Sequence, residues 1–197
     1  INATDNLYFP AGDWGCGDKD FESFVGENST QSGKFDMWQA TAYSTNTYFL
    51  QRERDSGLCD VVKMAERAGI HTATGDPIEP NISFTLGTTE VSPLTVANSY
   101  ATFAAHGLAC EPRSITNVVD RNQNTLEVPP VCAQTIPADV ADATTAILTG
   151  VVDGDISGRT GQAMSIGRET TGKTGTTDSS AAVWYAGYTP NLAAAVW

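Results

Sequence analysis

The C-terminal segment of this 197-residue chain constrains the fold more than any other part of the sequence. After Lys173-Thr174-Gly175 the chain reaches AAVWYAGYTPNLAAAVW, in which two apolar runs flank a Thr-Pro-Asn tripeptide. Apolar runs of strand length on either side of such a turn are typical of a β-hairpin. The sequence therefore predicts antiparallel strands here, with Lys173 on the strand that begins the hairpin.

Residues 167–174 also fit G-x-x-x-x-G-K-[ST], the pattern of phosphate-binding loops. Such a loop needs a long helix that starts at the Lys-Thr pair, because the amino terminus of that helix faces the phosphates. Here Gly175 follows Thr174 directly and the next residues predict strands. We therefore expect the nucleotide-binding interpretation to be wrong.

The middle of the chain predicts helices. Asp36 is a suitable N-cap for a short helix over MWQATA, and a second helical pattern runs over YSTNTYFLQRER. The Ser-Thr-Asn tripeptide interrupts the first helical pattern and begins the second, which places Ser44 and Asn46 at a helix junction. Further helices are expected over LCDVVKMAERAG, SPLTVANSYATFAAHG and PADVADATTAILTGVV.

These patterns divide the chain into three regions. Residues 1–35 are rich in Gly, Asn, Asp and Ser without a sustained apolar period, which predicts an irregular, aromatic-rich loop region. Residues 36–160 predict a helical subdomain, in which residues 110–132 form a hairpin because two strand-like runs surround a polar turn. Residues 165–197 predict the strands of the sheet.

The four cysteines, Cys16, Cys59, Cys110 and Cys132, lack the C-x-x-C spacing of zinc or thioredoxin sites, so disulfides are favoured. Cys110 and Cys132 flank the expected hairpin, and a bridge between them would close its base. Cys16 would then pair with Cys59 or stay free. The alternative is four buried thiols in a reducing compartment.

The composition argues against several partners. A formal charge of −12 opposes nucleic acid, because each phosphate contact would be made against the field of the whole molecule. The sequence contains no run of about 18 uncharged apolar residues, so membrane association is expected only through an anchor outside this chain. No metal-ligand cluster and no cofactor motif is visible in the sequence, and we expect neither a metal nor a cofactor.

Two short motifs, in their order and separation, resemble elements of penicillin-binding transpeptidases. Ser44-Thr45-Asn46 resembles the Ser-x-Asn element, and Lys173-Thr174-Gly175 resembles the Lys-Thr-Gly element. TLGTTEVSPLTVANSYATFAAHG resembles the segment between these elements in the bifunctional class A proteins. The resemblance runs from about Asp36 to Trp197.

The resemblance implies an α+β fold of the β-lactamase and DD-peptidase type, an α/β/α sandwich with helices on both sides of an antiparallel sheet that is incomplete in this chain. It implies part of a D,D-transpeptidase or carboxypeptidase at the extracytoplasmic face of the bacterial cell membrane or cell wall. Such enzymes cross-link peptidoglycan by serine acyl transfer from D-alanyl-D-alanine stem peptides, and β-lactam antibiotics acylate them. A non-catalytic relative that senses or binds β-lactams or peptides is the alternative.

The resemblance also assigns catalytic roles. Ser44 would relay a proton toward the leaving amine, since a hydroxyl can accept and donate in one step. Asn46 would hold the substrate amide. Lys173 would create local positive potential and hydrogen-bond to Ser44.

The remaining site residues are expected on the strand of the Lys-Thr-Gly element. Thr174 and Thr176 are two apart, so their hydroxyls share a face and would jointly hold the terminal carboxylate. By the resemblance, the backbone N–H of Thr176 would contribute to an oxyanion hole. Gly175 would permit the close approach of a neighbouring strand.

One departure from the family concerns the nucleophile. The family's serine lies in a Ser-x-x-Lys element upstream of Ser-x-Asn, and these 197 residues contain no Ser-x-x-Lys. We therefore expect this chain alone to be inactive. A companion chain, or a segment upstream of Ile1, would supply the nucleophile.

Overall fold

The computed structural model describes residues 1–197, apart from the side chain of residue 178. Helices occupy much of the middle of the chain: α1 over Met37–Tyr43, α2 over Asn46–Ser56, α3 over Leu58–Arg67, α4 over Pro93–Ala104 and α5 over Ala138–Val152. The N-terminal strands are β1 over Asn2–Ala3, β2 over Asn6–Phe9, β3 over Gly12–Asp13, β4 over Asp20–Phe21, β5 over Phe24–Glu27 and β6 over Gly33–Lys34. The later strands are β7 over Leu108–Cys110, β8 over Asn117–Val119, β9 over Thr125–Glu127, β10 over Cys132–Gln134, β11 over Thr171–Thr176, β12 over Val183–Thr189 and β13 over Leu192–Val196.

Side-chain caps fix the starts of two helices where the sequence predicts them. The Asp36 carboxylate accepts the N–H of Gln39 at 2.8 Å, and the Gln39 side chain accepts the N–H of Asp36, which completes a capping box at α1. At α4, the Ser92 hydroxyl accepts the N–H of Thr95 at 3.1 Å, with Pro93 in the first turn. Both contacts satisfy helix N–H groups that have no partner within the helix.

The C-terminal strands form a three-stranded antiparallel sheet in the order β11-β12-β13. Lys173 and Thr174 lie on β11, and no helix begins at them in the described backbone. The phosphate-loop geometry is therefore absent from this segment, as the sequence indicated. Buried residues Ala186 and Tyr188 of β12 lie on the face that α4 and α5 cover.

Two hydroxyl contacts join α5 to this sheet. Thr149 on α5 lies 2.8 Å from the hydroxyl of Thr171 on β11, and Thr145 lies 2.7 Å from the hydroxyl of Tyr188 on β12. The opposite face of the sheet carries exposed apolar side chains of Val183, Leu192 and Val196. The chain thus has an α+β fold in which its own helices pack on one face of the sheet.

The N-terminal region differs from the prediction of an irregular loop over residues 1–35. Its strands form antiparallel pairs, β1 with β6, β2 with β5, and β3 with β4. Each strand has only two to four residues, so a period-two apolar pattern is too short to detect in the sequence. The aromatic residues were the informative signal, because Phe9 and Trp14 are buried in the core.

The main core lies beneath α2 and α3. It contains buried apolar side chains from the N-terminal strands, both helices and the following loop: Phe9, Trp14, Leu50, Leu58, Val62, Ile78 and Ile82. A disulfide between Cys16 and Cys59 ties the N-terminal region to α3 beside this core. The long loop Ile70–Ser92 also packs here through the turn Phe84–Leu86.

The second disulfide joins Cys110 to Cys132, which lie directly opposite each other on β7 and β10. The β8–β9 hairpin extends beyond this bridge. Both bonded pairs are those named from the sequence. Within the described part of the chain, no helix has both the length and the apolar character that a membrane crossing needs.

Candidate active site

The two sequence motifs meet at one point in the structure. The ammonium of Lys173 on β11 donates a hydrogen bond of 2.8 Å to the hydroxyl oxygen of Ser44. It donates a second bond of 2.9 Å to the carbonyl of Thr174. An ammonium has three donors, so one remains for a third group.

Ser44 lies at the junction between α1 and α2 and adopts a left-handed backbone conformation, with φ 57° and ψ 50°. Its N–H still bonds the carbonyl of Thr41 at 3.2 Å, as the cap of α1. A non-glycine residue in this region costs on the order of 1 kcal/mol, and it persists only where the surrounding contacts require it. The sharp turn lets α2 leave in a new direction while the Ser44 side chain reaches β11.

Burial changes the acid–base behaviour of Lys173. Desolvation lowers the pKa of its ammonium from 10.5 to about 8. Among the described side chains, no carboxylate lies within ion-pair distance of Lys173. The site therefore holds a cation without a salt-bridge partner among the described side chains, which favours the approach of an anion.

The backbone of β11 is open on the side away from β12. The N–H of Thr177 bonds the carbonyl of Ala182 at 3.0 Å, so odd-numbered residues of this segment point their N–H and C=O groups toward β12. Because these groups alternate along an antiparallel strand, Thr174 and Thr176 point theirs toward the open edge. The bond from Lys173 to the Thr174 carbonyl agrees with this alternation.

The side chains of Thr174 and Thr176 share one face of β11, since successive residues alternate. Thr174 is partly buried and Thr176 is exposed. Neither hydroxyl has a hydrogen-bond partner in the described part of the chain. Both are therefore free to bind a ligand at the edge of the sheet.

The prediction of a close approach at Gly175 does not match the structure. A Cβ there would meet only the Cβ of Trp184 at 3.5 Å, an ordinary contact. The tight position is Gly172, where a Cβ would lie 2.5 Å from the hydroxyl of Tyr185. Sequence patterns missed this position because the crowding comes from the neighbouring strand.

Asn46, two residues after Ser44, uses its side-chain nitrogen to bind the end of β5. That nitrogen donates a 2.9 Å bond to the carbonyl of Glu27, at the end of β5. The carbonyl oxygen and the second N–H of the Asn46 side chain remain available for another contact. The sequence predicts Asn46 at the site but not its bond to β5, because Glu27 lies 19 residues upstream.

Sequence reasoning also missed Asn28, whose side chain contacts the start of α2. A single asparagine in a polar loop carries no pattern that distinguishes it from its neighbours. Its contact depends on two segments that are distant in the chain, and only the fold brings them together.

Comparison with known proteins gives consistent matches. Residues 3–197 match the family model of the penicillin binding protein transpeptidase domain. Penicillin-binding protein 2D of Bacillus subtilis (strain 168) is 36% identical over 167 residues, which cover 82% of this chain and 23% of the relative. Penicillin-binding protein 1A of Aquifex aeolicus (strain VF5) is 31% identical over 166 residues, covering 84% of this chain and 22% of the relative.

Solved structures match in the same way. PonA1 from Mycobacterium tuberculosis, in complex with penicillin V, has a TM-score of 0.68 at 28% identity, covering 85% of this chain and 48% of that chain. Penicillin-binding protein 1A from Haemophilus influenzae has a TM-score of 0.77 at 21% identity, covering 99% and 34%, which shows a likeness of fold. The chain spans less than a quarter of the length of the two curated relatives.

Proposed function

This chain belongs to the penicillin-binding protein transpeptidase family, and we propose that it forms the substrate-binding and proton-transfer part of a serine D,D-transpeptidase. The observation that carries the proposal is the 2.8 Å contact between Lys173 and Ser44. Two motifs typical of this chemistry are 129 residues apart in the chain and are in direct contact in the fold. Each motif alone is common in unrelated proteins, whereas their contact is specific.

The reaction is acyl transfer from a stem peptide that ends in D-alanyl-D-alanine. A serine attacks the penultimate peptide carbonyl, the last residue leaves as an amine, and the acyl group passes to a second amine. The leaving nitrogen must gain a proton as the bond breaks. The Ser44 hydroxyl relays the proton released by the attacking serine to this nitrogen, while the Lys173 ammonium donates a hydrogen bond to the Ser44 oxygen and keeps its charge.

Lys173 also favours the binding of an anionic peptide end. Its charge has no carboxylate partner among the described side chains, so the substrate carboxylate gains most of the attraction. The free hydroxyls of Thr174 and Thr176 complete the binding of this carboxylate. The open-edge N–H of Thr176 is one donor of the oxyanion hole, and the other comes from the nucleophile segment.

The nucleophile comes from outside these 197 residues, on a companion chain or on another segment of the parent polypeptide. The two disulfides favour an oxidising compartment, which agrees with action at the extracytoplasmic face of the cell membrane. A β-lactam carries a carboxylate beside a reactive amide and binds the same groups. It is then trapped as an acyl ester on the nucleophile.

The test uses the natural polypeptide that contains this sequence, incubated with a fluorescent penicillin. We expect a covalent adduct, which peptide mass spectrometry locates on the serine of a Ser-x-x-Lys element outside residues 1–197. The polypeptide should also release D-alanine from a stem-peptide substrate. Absence of an adduct, or an adduct on a serine within residues 1–197, would contradict the proposal.

The same assay separates the enzyme from a non-catalytic sensor. A sensor would form the adduct with penicillin but would release no D-alanine from a stem peptide over many times the acylation period. An adduct without turnover would therefore support a binding role for the site and contradict the transpeptidase assignment.

A further inference from the structure

A loop upstream of the Ser-x-Asn element holds that element in place. The end of β5 and the loop that follows it, residues 27–32 and together called the clamp loop, lie against residues 44–47. Two well-formed hydrogen bonds cross between them, from Asn46 to the Glu27 carbonyl at 2.9 Å and from the Thr47 N–H to the Asn28 side chain at 2.8 Å. Two longer contacts of 3.4 and 3.5 Å join Thr45 to Gln31 and Thr30 to Ser44.

The contact from Asn28 replaces a missing helix cap. Thr45 occupies the N-cap position of α2, but its side chain makes no capping hydrogen bond. Thr47 in the first turn is 0% exposed, so water cannot satisfy its N–H. The side-chain oxygen of Asn28, 19 residues upstream, accepts this N–H instead.

Other hydrogen bonds hold Asn28 in position. Its side-chain nitrogen donates to the hydroxyl of Ser32 at 2.9 Å and to the carbonyl of Thr4 at 3.0 Å. Its backbone N–H donates to the carbonyl of Asp5 at 2.9 Å. The hydroxyl of Thr47 reaches the same Thr4 carbonyl at 3.0 Å, so the β1–β2 turn supports both residues.

We propose that Asn28 is a positioning residue for the acyl-transfer site, which caps α2 from the clamp loop and thereby sets the distance from Ser44 to Lys173. This inference rests on the proposed function for its catalytic consequence. Ser44 directly precedes Thr45, the N-cap residue of α2. Its left-handed backbone conformation must be stabilised by the surrounding contacts. If the turn frays, Ser44 relaxes and its hydroxyl moves away from the ammonium.

A plain stabilising cap would have a different consequence. Loss of an N-cap costs about 1 kcal/mol wherever the helix lies. Ser92→Ala removes such a cap from α4, which carries no residue of the site. It is therefore the control for the loss of a helix cap, since both variants lose one side-chain acceptor at the start of a helix, although Asn28→Ala also loses the two bonds that its side-chain nitrogen donates.

The first experiment measures the Lys173 site directly in the 197-residue chain. The sequence has four lysines, so their signals can be resolved by NMR when the chain is isotope-labelled at the lysine side-chain nitrogen and the adjacent carbon. The signal that disappears in Lys173→Arg is assigned to Lys173. Lys173 should titrate near pH 8 in the unmodified chain and in Ser92→Ala. In Asn28→Ala its titration should move upward toward the ordinary lysine range, because a displaced ammonium becomes hydrated.

The second experiment measures acylation by fluorescent penicillin in the natural polypeptide. Asn28→Ala should lower the rate constant by at least about tenfold, since a displacement of about 1 Å can cost more than that. Asn28→Asp keeps an oxygen for the Thr47 N–H but sets a second carboxylate oxygen against the Thr4 carbonyl, so it should recover only part of the rate. Ser92→Ala should stay within about twofold of the unmodified rate at a temperature well below its unfolding transition.

The two experiments distinguish failure of the inference from failure of the proposed function. If Asn28→Ala and Ser92→Ala leave the Lys173 titration equally unchanged, Asn28 is only a stabilising cap and the inference is wrong. If the natural polypeptide itself forms no adduct, the proposed function fails, but the NMR titration still decides whether Asn28 positions Ser44.

Discussion

The hydroxyl of Ser44 and the ammonium of Lys173 lie 2.8 Å apart although 129 residues separate them in the chain. Ser44 ends α1, and Lys173 lies on an edge strand of the C-terminal sheet. The contact of α1 with α5, and of α5 with β11, fixes the distance between them. The site thus depends on the packing of one helix between the two motifs.

Replacement of Lys173 should abolish most of the chemistry. Lys173→Ala in the natural polypeptide should lower acylation by penicillin by about 100-fold or more, because it removes both the cation and the proton donor to Ser44. Lys63→Ala is the matched control, since Lys63 is exposed and pairs only with Asp60 on the same helix. Losses of similar size in both variants would indicate a general effect on charge, not a role for Lys173 in the site.

The pH dependence should report the ammonium of Lys173. Because burial lowers its pKa to about 8, the charged form is lost as pH rises through that value, and acylation should fall in the same range. Lys173→Arg keeps a permanent charge, so its lower rate should not show this decline. Rates measured from about pH 6.5 to pH 9.5 test the prediction, and identical profiles for the two proteins would refute it.

Glu53 should make the fold less stable as pH rises. This residue is 2% exposed, one carboxylate oxygen accepts the N–H of Thr85 at 3.0 Å, and the other has no partner among the described atoms. Burial raises its pKa from 4.5 to about 7, so between these values the folded chain holds a proton that the unfolded chain has released. The free energy of unfolding should therefore fall by roughly 3 kcal/mol across this range.

Urea unfolding at about pH 5 and pH 8 measures the contribution of Glu53. Glu53→Gln cannot titrate, so the difference between the two conditions should shrink by most of that amount. Glu66→Gln, on the exposed surface of α3, should leave the difference unchanged. If the free energy of unfolding of Glu53→Gln depends on pH as strongly as that of the unmodified chain, other groups cause the dependence.

Gly172 and Tyr185 should show a strong mutual dependence. Gly172→Ala places a Cβ 2.5 Å from the Tyr185 hydroxyl and should destabilise the chain by about 2 kcal/mol through strain on β11. Tyr185→Phe removes a buried hydroxyl that has no partner among the described atoms, so it should be neutral or stabilising. The double variant should recover only part of the loss, because the Tyr185 ring at 2.8 Å and the Ala186 carbonyl at 2.9 Å still crowd the added Cβ; strictly additive effects in thermal unfolding would contradict the hydroxyl contact.

The Cys110–Cys132 bridge should contribute to stability without affecting the site. Its loop spans 22 residues, for which chain entropy gives roughly 3 kcal/mol. The bridge joins β7 to β10, and neither strand carries a site residue. Cys110→Ala with Cys132→Ala should therefore lower the unfolding midpoint while leaving the Lys173 titration near pH 8.

Several features were predictable because they depend on neighbouring residues. The caps at Asp36 and Ser92 start helices through bonds to groups three residues away, and such short-range contacts form in any fold that accommodates the helix. The C-terminal hairpin follows in the same way from apolar runs around a turn. The N-terminal strand pairs were missed because their pairing partners lie farther along the chain and the strands are too short to show a pattern.

By itself, the sequence determined which local elements form and which two motifs the chain carries, since both depend on residues that are adjacent or one turn apart. The tertiary structure alone decided that Lys173 reaches Ser44, that the Asn46 amide turns to β5, and that Asn28 caps α2. These contacts join segments that are distant in the chain, so their geometry is set by how the helices and strands pack. No pattern within either segment records that packing.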